Sequence, residues 1–347
     1  MRRLCGFLFI GLFLALPVQA TETLTFLTWE DYIDPELVSE FEQKNDVKIR
    51  FVYFEDDDER EMILAQTNGI GFDLVLLDSA LVQNYIRQGW LEPLDRQRIS
   101  NAAHIRMPWN RAPLPDTFYE VPYFWGTVGI LYRKDRVNPP PTSWKAFFQP
   151  AEPHRHRILS LNTVSTVYAM ALKALGRSMV DVTEQDIQAA TSLLAFFAPY
   201  VTAWRNPTLK TDNEFSRGEI DMAMAYNGDA LQLIDKDESG QLAFVVPEEG
   251  TGLWMDSLAI LKSSQKKVLA ERFIQFLNEP EINARNAQTL YYATPNTAAE
   301  ALLPADFRAN PAVFPPEAIR ARSEVFTVWP VAINRLASQK FVELTFR

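Results

Sequence analysis

Short apolar segments alternate with amphipathic segments along the first third of the chain. Three of them are apolar or β-branched and predict strands: residues 24–29 (LTFLTW), 47–54 (VKIRFVYF) and 72–77 (FDLVLL). Helices are expected between them, one beginning at Asp34, a candidate N-cap followed by Pro35, and one over about residues 60–66. This strand–helix order predicts an α/β domain with right-handed crossovers.

The alternation continues beyond residue 120 and predicts a second lobe. Strands are expected at residues 128–132, 158–161, 220–226, 244–247 and 254–261, and helices at residues 163–175, 187–197 and 267–277. The last of these helices is expected to end at residues 278–280 (NEP), and an Ala-rich helical tail follows. Because no low-complexity linker separates the halves, we expect shared strands to form a hinge between the lobes.

Aromatic and acidic residues follow each of the three N-terminal strands. They are residues 29–32 (WEDY), 55–58 (EDDD) and 78–79 (DS). Ligands of parallel sheets bind beyond the carboxyl ends of the strands, so the set predicts a site there. Polar residues after strands also serve as turns and caps. The acidic run 55–59 lacks the glycine and spacing of a calcium loop, and we interpret it as a solvated loop and helix start.

A tryptophan and an aspartate, Trp254 and Asp256, open the apolar segment 254–261. Residues two apart in a strand point to the same face, so both side chains are expected together at the mouth of this strand. An indole face attracts an organic ammonium and a carboxylate neutralises it. The alternative is a core tryptophan beside a helix-capping aspartate. The aromatic and acidic residues elsewhere in the chain favour the ligand site.

Composition and missing motifs narrow the possible functions. The 347 residues carry a formal net charge of -10 without a Lys/Arg-rich run, which argues against nucleic acid and favours a cationic ligand. The histidines at 104, 154 and 156 lack metal-site spacing, and residues 154–156 (HRH) are expected in a solvated loop. Without a phosphate loop, nucleophile elbow or zinc-protease motif, we expect no enzyme activity, no metal and no cofactor.

The first 20 residues have the features of a secretory signal. Arg2 and Arg3 precede a short apolar core, and residues 18–20 (VQA) match a small-x-small cleavage site. We therefore expect cleavage after Ala20 and a periplasmic protein. The one cysteine, Cys5, lies in this segment, so the mature chain is expected to have no disulfide.

Six short segments, in the same order, resemble the periplasmic spermidine/putrescine-binding receptors of polyamine uptake systems, which are two-lobed type II solute-binding proteins. The segments are residues 28–33 (TWEDYI), 72–75 (FDLV), 122–127 (PYFWGT), 224–228 (MAYNG), 254–259 (WMDSLA) and 292–296 (YATPN). The resemblance implies an α/β fold of two lobes, each a mixed or parallel sheet with flanking helices, around a cleft. The corresponding boundaries are a signal peptide at 1–20, a first lobe of 21–128 plus 257–302, and a second lobe of 129–256 plus 303–347.

The resemblance also implies a ligand site of aromatic and acidic side chains. The expected binding residues are Trp29, Tyr32, Asp78, Tyr226, Trp254, Asp256 and Tyr292. By resemblance, the aromatic faces hold an alkyl chain and Asp256 pairs with an amine. Tyr226 stands where the family often has tryptophan, and Asp78 stands where a small hydroxyl residue is usual, which adds a negative charge.

Two positions depart from the family pattern. The acidic pair that holds a terminal amine in the spermidine receptors falls on Thr163 and Thr166, which are neutral. A glutamine of the family site falls near residues 329–330 without a clear match. The candidates to replace the missing acidic pair are Asp78, or Glu30 with Asp31. The expected ligand is therefore a polyamine or a related small organic cation, not spermidine in particular.

The resemblance implies a monomeric substrate receptor of a polyamine ABC import system, which docks on a membrane permease. One alternative is a sensor subunit that reports polyamine to a membrane cyclic-di-GMP signalling protein. A second alternative is a ferric-ion receptor, because Tyr291 and Tyr292 are similar to the adjacent tyrosines of iron receptors with this fold. An exported hydrolase has no nucleophile–base signature in its favour.

Overall fold

The structure, a computed structural model, describes residues 21–107, 112 and 114–345, apart from the side chain of Asp58. The expected signal peptide, its cleavage site and Cys5 lie outside the described residues. The strands are β1 (Glu22–Thr28), β2 (Val47–Tyr53), β3 (Leu74–Asp78), β4 (Val121–Arg133), β5 (Ile158–Ser160), β6 (Val201–Trp204), β7 (Met222–Tyr226), β8 (Leu242–Val245), β9 (Gly252–Ile260) and β10 (Glu324–Val325).

The helices surround these strands and connect most of them. They are α1 (Pro35–Asn45), α2 (Asp57–Thr67), α3 (Val82–Gln88), α4 (Trp144–Phe148), α5 (Val164–Ala174), α6 (Glu184–Phe197), α7 (Asn227–Asp235), α8 (Lys267–Leu277), α9 (Pro280–Leu290), α10 (Thr297–Leu302), α11 (Ala305–Ala309), α12 (Glu317–Arg320) and α13 (Val331–Thr345). Within the described part of the chain, none of these helices has the length and apolar character needed to cross a membrane.

The strands form one network in which β4 and β9 connect the two halves of the molecule. Neighbouring strands follow the order β2-β1-β3-β9-β4-β7-β5-β6, with β10 beside β9 and β8 beside β4. The first part of β4, residues 121–127, pairs with β9, and residues 128–132 pair with β7. Strands β1, β2 and β3 are parallel, whereas β9 runs antiparallel to β3 and β4. The mixed α/β character agrees with the sequence prediction.

Helix starts in the first half follow from their caps. The side chain of Asp34 accepts a hydrogen bond from the Glu36 backbone N–H, and Pro35 occupies the first turn of α1, as predicted. Helix α2 begins three residues earlier than expected, because the Asp56 side chain accepts from the Glu59 backbone N–H and caps the helix. This earlier start places Asp57 in the first turn of α2, within the run that the sequence predicted as a solvated loop and helix start.

Two boundaries in the second half differ from the prediction. Helix α8 ends at residues 278–280, as expected, but Pro280 also begins a further helix, α9. Proline is favourable in the first turn because the backbone N–H that it lacks would have no partner within the helix. Strand β4 begins at Val121, well before residue 128, because residues 121–127 pair with β9. The expected strand was therefore too short at its N-terminal end.

Apolar cores cover both faces of the N-terminal strands. Phe26 belongs to the core with Phe41 and Phe273, whereas its neighbour Leu27 belongs to the core on the opposite face with Leu77. A strand buried on both faces favours an almost continuous apolar sequence, which is the pattern of β3. These buried strands give a rigid base to the polar residues that follow them.

The prediction that residues 154–156 lie in a solvated loop is wrong for His154, whose side chain is largely buried. His154 Nδ1 lies 3.0 Å from Asp221 Oδ2, and the same oxygen accepts from Arg157 Nε at 2.9 Å. Asp221 is only 3% exposed, and a buried carboxylate requires positively charged or hydrogen-bonding partners. His154 therefore belongs to a structural ion-pair cluster, which brings together residues far apart in sequence.

Candidate functional site

A cavity of about 360 Å³ lies where the end of β3 meets the first turns of α2 and α5 and the segment before α13. One wall carries the carboxylates of Asp56, Asp57, Glu61 and Asp78. The facing wall is neutral and includes residues 162–166 (NTVST). No lysine, arginine or histidine is among the described residues that line the cavity, so its ionisable lining is acidic.

Aromatic side chains supply much of the remaining lining. They are Tyr226, Trp254, Phe326 and Trp329. The indole N–H of Trp329 donates to the Met179 carbonyl at 2.8 Å, which fixes this ring in the wall. Carboxylates beside aromatic faces are the combination that binds organic ammonium groups, so the cavity has the chemistry of a cation receptor.

A buried arginine supports the acidic wall from behind. The Arg60 side chain is 0% exposed, and its Nη1 donates to Asp57 Oδ1 at 2.6 Å. Its Nε donates to the Tyr85 hydroxyl at 3.3 Å, and that hydroxyl donates to Glu61. A buried guanidinium is stable only with paired carboxylates, so Arg60 fixes the positions of Asp57 and Glu61. The acidic run is a helix start, as interpreted from the sequence, but Asp57 also lines the cavity, in agreement with the alternative that the residues after β2 form part of a site.

Asp78 ends β3 at the edge of the cavity, where the sequence predicted a binding residue. Its Oδ1 accepts a hydrogen bond from the Ala80 backbone N–H at 2.7 Å. Burial, followed by the negative charges of Asp57 and Asp256, raises the pKa of Asp78 to about 8. Without a cation nearby, Asp78 is therefore mostly protonated at neutral pH.

From the sequence, Trp254 and Asp256 were expected at the mouth of a strand. The structure places both of them within β9. Asp256 is opposite Asp78 of β3 on one side and opposite Phe124 of β4 on the other. The strand continues past this point because both neighbours hold its backbone, which the local sequence does not reveal. The carboxylate reaches the site from the middle of the sheet.

The Tyr32 hydroxyl is a hydrogen-bond partner of the Asp256 carboxylate. This hydroxyl donates to Asp256 Oδ2 at 2.7 Å. Burial raises the pKa of Asp256 to about 7, and the negative charge of Asp57 adds to the rise, although the Tyr32 hydrogen bond and Arg60 oppose it. The tyrosine hydroxyl therefore occupies the acceptor position that a ligand ammonium requires.

Four aromatic rings form a continuous series of contacts that begins at Tyr32, the partner of this carboxylate. Ring centroids are 5.5 Å apart for Tyr32 and Tyr292, 4.9 Å for Trp254 and Tyr292, and 6.1 Å for Tyr226 and Trp254. The last two pairs are nearly perpendicular. We call Tyr32, Trp254, Tyr292 and Asp256 the inner group. It adjoins the cavity through Trp254, which belongs to both.

Two glycines allow the aromatic rings to approach the strands. A side chain at Gly126 would collide with the Trp254 ring and with Asn227 Oδ1, and one at Gly228 would collide with the Tyr292 ring. These glycines belong to the segments 122–127 and 224–228 that carried the family resemblance. Their contribution is close packing against the site, not a special backbone conformation.

Asp229 is a residue of the site that the sequence did not predict. Its Oδ1 accepts a hydrogen bond from the Tyr292 hydroxyl at 3.1 Å, and burial raises its pKa to about 6. Asp229 lies in the first turn of α7, directly after the segment 224–228. Its place directly after the segment that contains Tyr226 could have suggested Asp229 from the sequence. Its contact with Tyr292, however, depends on the tertiary fold.

The structure brings most of the expected residues together. Asp78, Tyr226 and Trp254 line the cavity, while Tyr32, Asp256 and Tyr292 belong to the inner group. Trp29 instead packs against Phe54, with ring centroids 4.3 Å apart, and is not among the residues that line the cavity.

The expected compensating residues Glu30 and Asp31 are exposed and do not line the cavity, in contrast to Asp57 and Glu61. Thr163, Thr166 and Trp329, the positions that depart from the family pattern, do line it. The acidic groups of the cavity therefore come from α2 and β3.

The tyrosine pair behind the iron hypothesis is divided between two environments. Tyr292 contacts Trp254 and Asp229, whereas the Tyr291 ring stacks on Phe307 with centroids 6.4 Å apart. Tyr291 ends α9 with a φ of 57°, which turns the chain between the two side chains. Among the described residues, no cluster of three or more His, Cys, Asp or Glu has the arrangement of a metal site. The arrangement gives no support to an iron site formed by both phenols.

Comparisons with known proteins agree with this geometry. The family model for bacterial extracellular solute-binding proteins matches residues 36–315. The chain is 31% identical over 294 residues to the norspermidine sensor of Vibrio cholerae, covering 85% of this chain and 80% of the relative. It is 29% identical over 297 residues to the spermidine/putrescine-binding periplasmic protein of Escherichia coli, covering 84% and 83%.

A solved structure extends the similarity to the fold. The substrate-binding protein PotD of a spermidine/putrescine ABC transporter from Streptococcus pneumoniae matches with a TM-score of 0.78 and 25% identity. The match covers 94% of this chain and 99% of that chain. The similarity therefore includes nearly the whole described structure.

Proposed function

Because the chain belongs to the bacterial extracellular solute-binding protein family, we propose that it is a periplasmic receptor for a polyamine or a closely related organic cation. The observation that carries this proposal is the cavity with four carboxylates, aromatic walls and no cationic side chain among its described lining residues. The family is defined by solute binding, in agreement with the expectation of a binding protein. Relatives named for spermidine, putrescine and norspermidine support the ligand class.

The two-lobed α/β fold expected from the sequence is shown by the family and by the similarity to PotD. Within this fold we propose a first lobe of residues 21–128 plus 257–302 and a second lobe of 129–256 plus 303–347. Strands β4 and β9 each cross one of these boundaries. Both strands therefore offer hinge positions for closure over a ligand.

The expected binding residues form the proposed site. In it, a ligand ammonium replaces the Tyr32 hydroxyl at Asp256, with the Trp254 and Tyr292 rings against the alkyl chain. Asp78 and Tyr226 contact the ligand in the cavity. Trp29 supports the site indirectly. It packs on Phe54, whose ring centroid lies 5.3 Å from the guanidinium carbon of Arg60.

Calorimetric titration tests the proposal directly. Putrescine, cadaverine, spermidine and norspermidine are titrated into the wild type, Asp256→Asn and Trp254→Ala, with Asp116→Asn as a control at an exposed position. We expect at least one amine to bind, and each site variant to bind it about tenfold or more weakly, because a charge-assisted contact or a cation–π contact is lost. Absence of binding by every amine rejects the ligand class. Unchanged affinity in the folded variants rejects the site.

We propose import as the output, with an ABC permease as the membrane partner and the mature protein, cleaved after Ala20, as a monomer. Sensing is the second candidate, favoured by the 31% identity to the norspermidine sensor. Deletion of the gene distinguishes them. Loss of radiolabelled polyamine uptake supports import, whereas unchanged uptake with a lost cyclic-di-GMP response to the amine supports sensing. Intact mass and light scattering of the exported protein test the cleavage site and the monomer.

A further inference from the structure

We propose that Asp57, together with Asp78, holds a second ammonium of the ligand, which makes Asp57 a specificity-determining residue of this chain. The inference rests on the proposed function, because it assumes that the cavity takes an organic cation. It assigns a role to a residue in a run that by sequence resembles an ordinary solvated helix start.

The position of Asp57 is suited to this role. Asp57 lies in the first turn of α2, lines the cavity, and has a side chain that is 41% exposed. Its carboxylate is held by Arg60 Nη1 at 2.6 Å and so has a defined orientation. The negative charge of Asp57 also contributes to the raised pKa values of Asp78, Asp256 and Tyr226. Asp57 therefore acts electrostatically on the interior of the site.

The facing wall offers no alternative carboxylate. Asn162, Thr163 and Thr166 line that side with amide and hydroxyl groups. An ammonium removed from water is costly unless a negative charge is close to it. A second ammonium in the cavity therefore pairs with the α2 side, since Thr163 and Thr166 offer no charge and already hydrogen-bond with Tyr226.

Arg60 limits how much charge this wall can accept. The guanidinium is paired with Asp57 and lies 3.8 Å from Glu61, so it neutralises part of the acidic wall. The wall is therefore suited to one ammonium and not to two.

The test compares ligands that differ by one charge. Putrescine and N-acetylputrescine, and cadaverine and N-acetylcadaverine, are titrated calorimetrically into the wild type and Asp57→Asn. We expect the variant to lose about tenfold or more in affinity for the unmodified amines but about threefold or less for the acetylated ones, because only the former present the second ammonium. The preference for the charged member of each pair should thus collapse.

Three further variants separate a charge effect from a folding effect. Glu55→Gln removes an exposed carboxylate from the same acidic run, outside the cavity lining, and should leave the preference unchanged. Asp57→Glu keeps the charge and should retain most of the preference. Asp57→Asn combined with Thr163→Asp moves the carboxylate to the facing wall and should restore the preference. Thr163 is the N-cap of α5, where aspartate is well tolerated.

The outcomes distinguish this inference from the proposed function. If Asp57→Asn weakens both members of a pair equally, or weakens neither, Asp57 does not hold a second ammonium, although the protein still binds amines. If the wild type binds none of putrescine, cadaverine, spermidine and norspermidine, the proposed function itself fails. Thermal unfolding of each variant identifies loss of binding that results from loss of the fold.

Discussion

Polyamine binding should release protons, because two carboxyls of the site hold protons in the free protein near neutral pH. Burial, together with the charges of Asp57 and Asp256, raises the pKa of Asp78 to about 8, against the opposing effects of the Ala80 N–H and Arg60. Burial also raises the pKa of Asp256 to about 7. An ammonium in contact with these groups favours their ionised forms, so binding and deprotonation are coupled.

The size of this effect follows from the two pKa values. At pH 7, a group with a pKa of about 8 is about nine-tenths protonated and one with a pKa of about 7 is half protonated. Binding that ionises both therefore releases between one and two protons. The same coupling makes binding about tenfold tighter at pH 8 than at pH 7, and about fiftyfold weaker at pH 6 than at pH 7. Alkylamines stay protonated over this range, so the carboxyls set the sign.

Calorimetry in two buffers measures the proton release. The same amine is titrated at pH 6, 7 and 8 in phosphate and in Tris, whose ionisation enthalpies differ, and the difference in heat gives the number of protons exchanged. Asp78→Asn should abolish most of the release at pH 8, where Asp78 is the main protonated group. Equal heats in both buffers, with an affinity that does not change from pH 6 to pH 8, would refute the reasoning.

Two further predictions concern stability. Gly126→Ala should lower the free energy of unfolding by about 2 kcal/mol and weaken amine binding, because the new methyl group meets the buried Trp254 ring and Asn227. Urea denaturation measures the change. A variant as stable as the wild type would contradict the packing account. The pKa of Asp78 is raised in the folded protein, so its ionisation costs stability as pH rises from about 4 to 8. The stability gained by Asp78→Asn in the free protein should therefore grow over that range by up to about 1.4 kcal/mol per pH unit. Thermal unfolding of both proteins at pH 4.5 and pH 8 measures this gain. A gain of the same size at both pH values would contradict the reasoning.

The structural features predicted correctly from sequence depend on local rules. The helix start at Asp34 and Pro35 and the strand over most of the apolar segment 254–261 need only the neighbouring residues. The shared face of Trp254 and Asp256 follows from the period of a strand, and it agrees with the contact of Trp254 with Tyr292 and of Asp256 with Tyr32, whose rings pack against each other. The family resemblance added Tyr32 and Tyr292, which no local pattern connects with Asp256.

The parts that were missed depend on contacts between distant segments. Asp57 has the local sequence of a solvated helix start, and only the packing of α2 beside β3 and β9 brings it to the cavity. The position of Asp256 within its strand depends on pairing with β3 and β4. His154 was expected in solvent because its partner, Asp221, is 67 residues away.

A crystal structure of the protein with its tightest-binding polyamine tests the central claim most directly. We expect an ammonium nitrogen about 3 Å from the Asp256 carboxylate, in place of the Tyr32 hydroxyl, with the alkyl chain against Trp254. A ligand bound away from Asp256 and Trp254, or an anionic group in contact with them, would contradict the account.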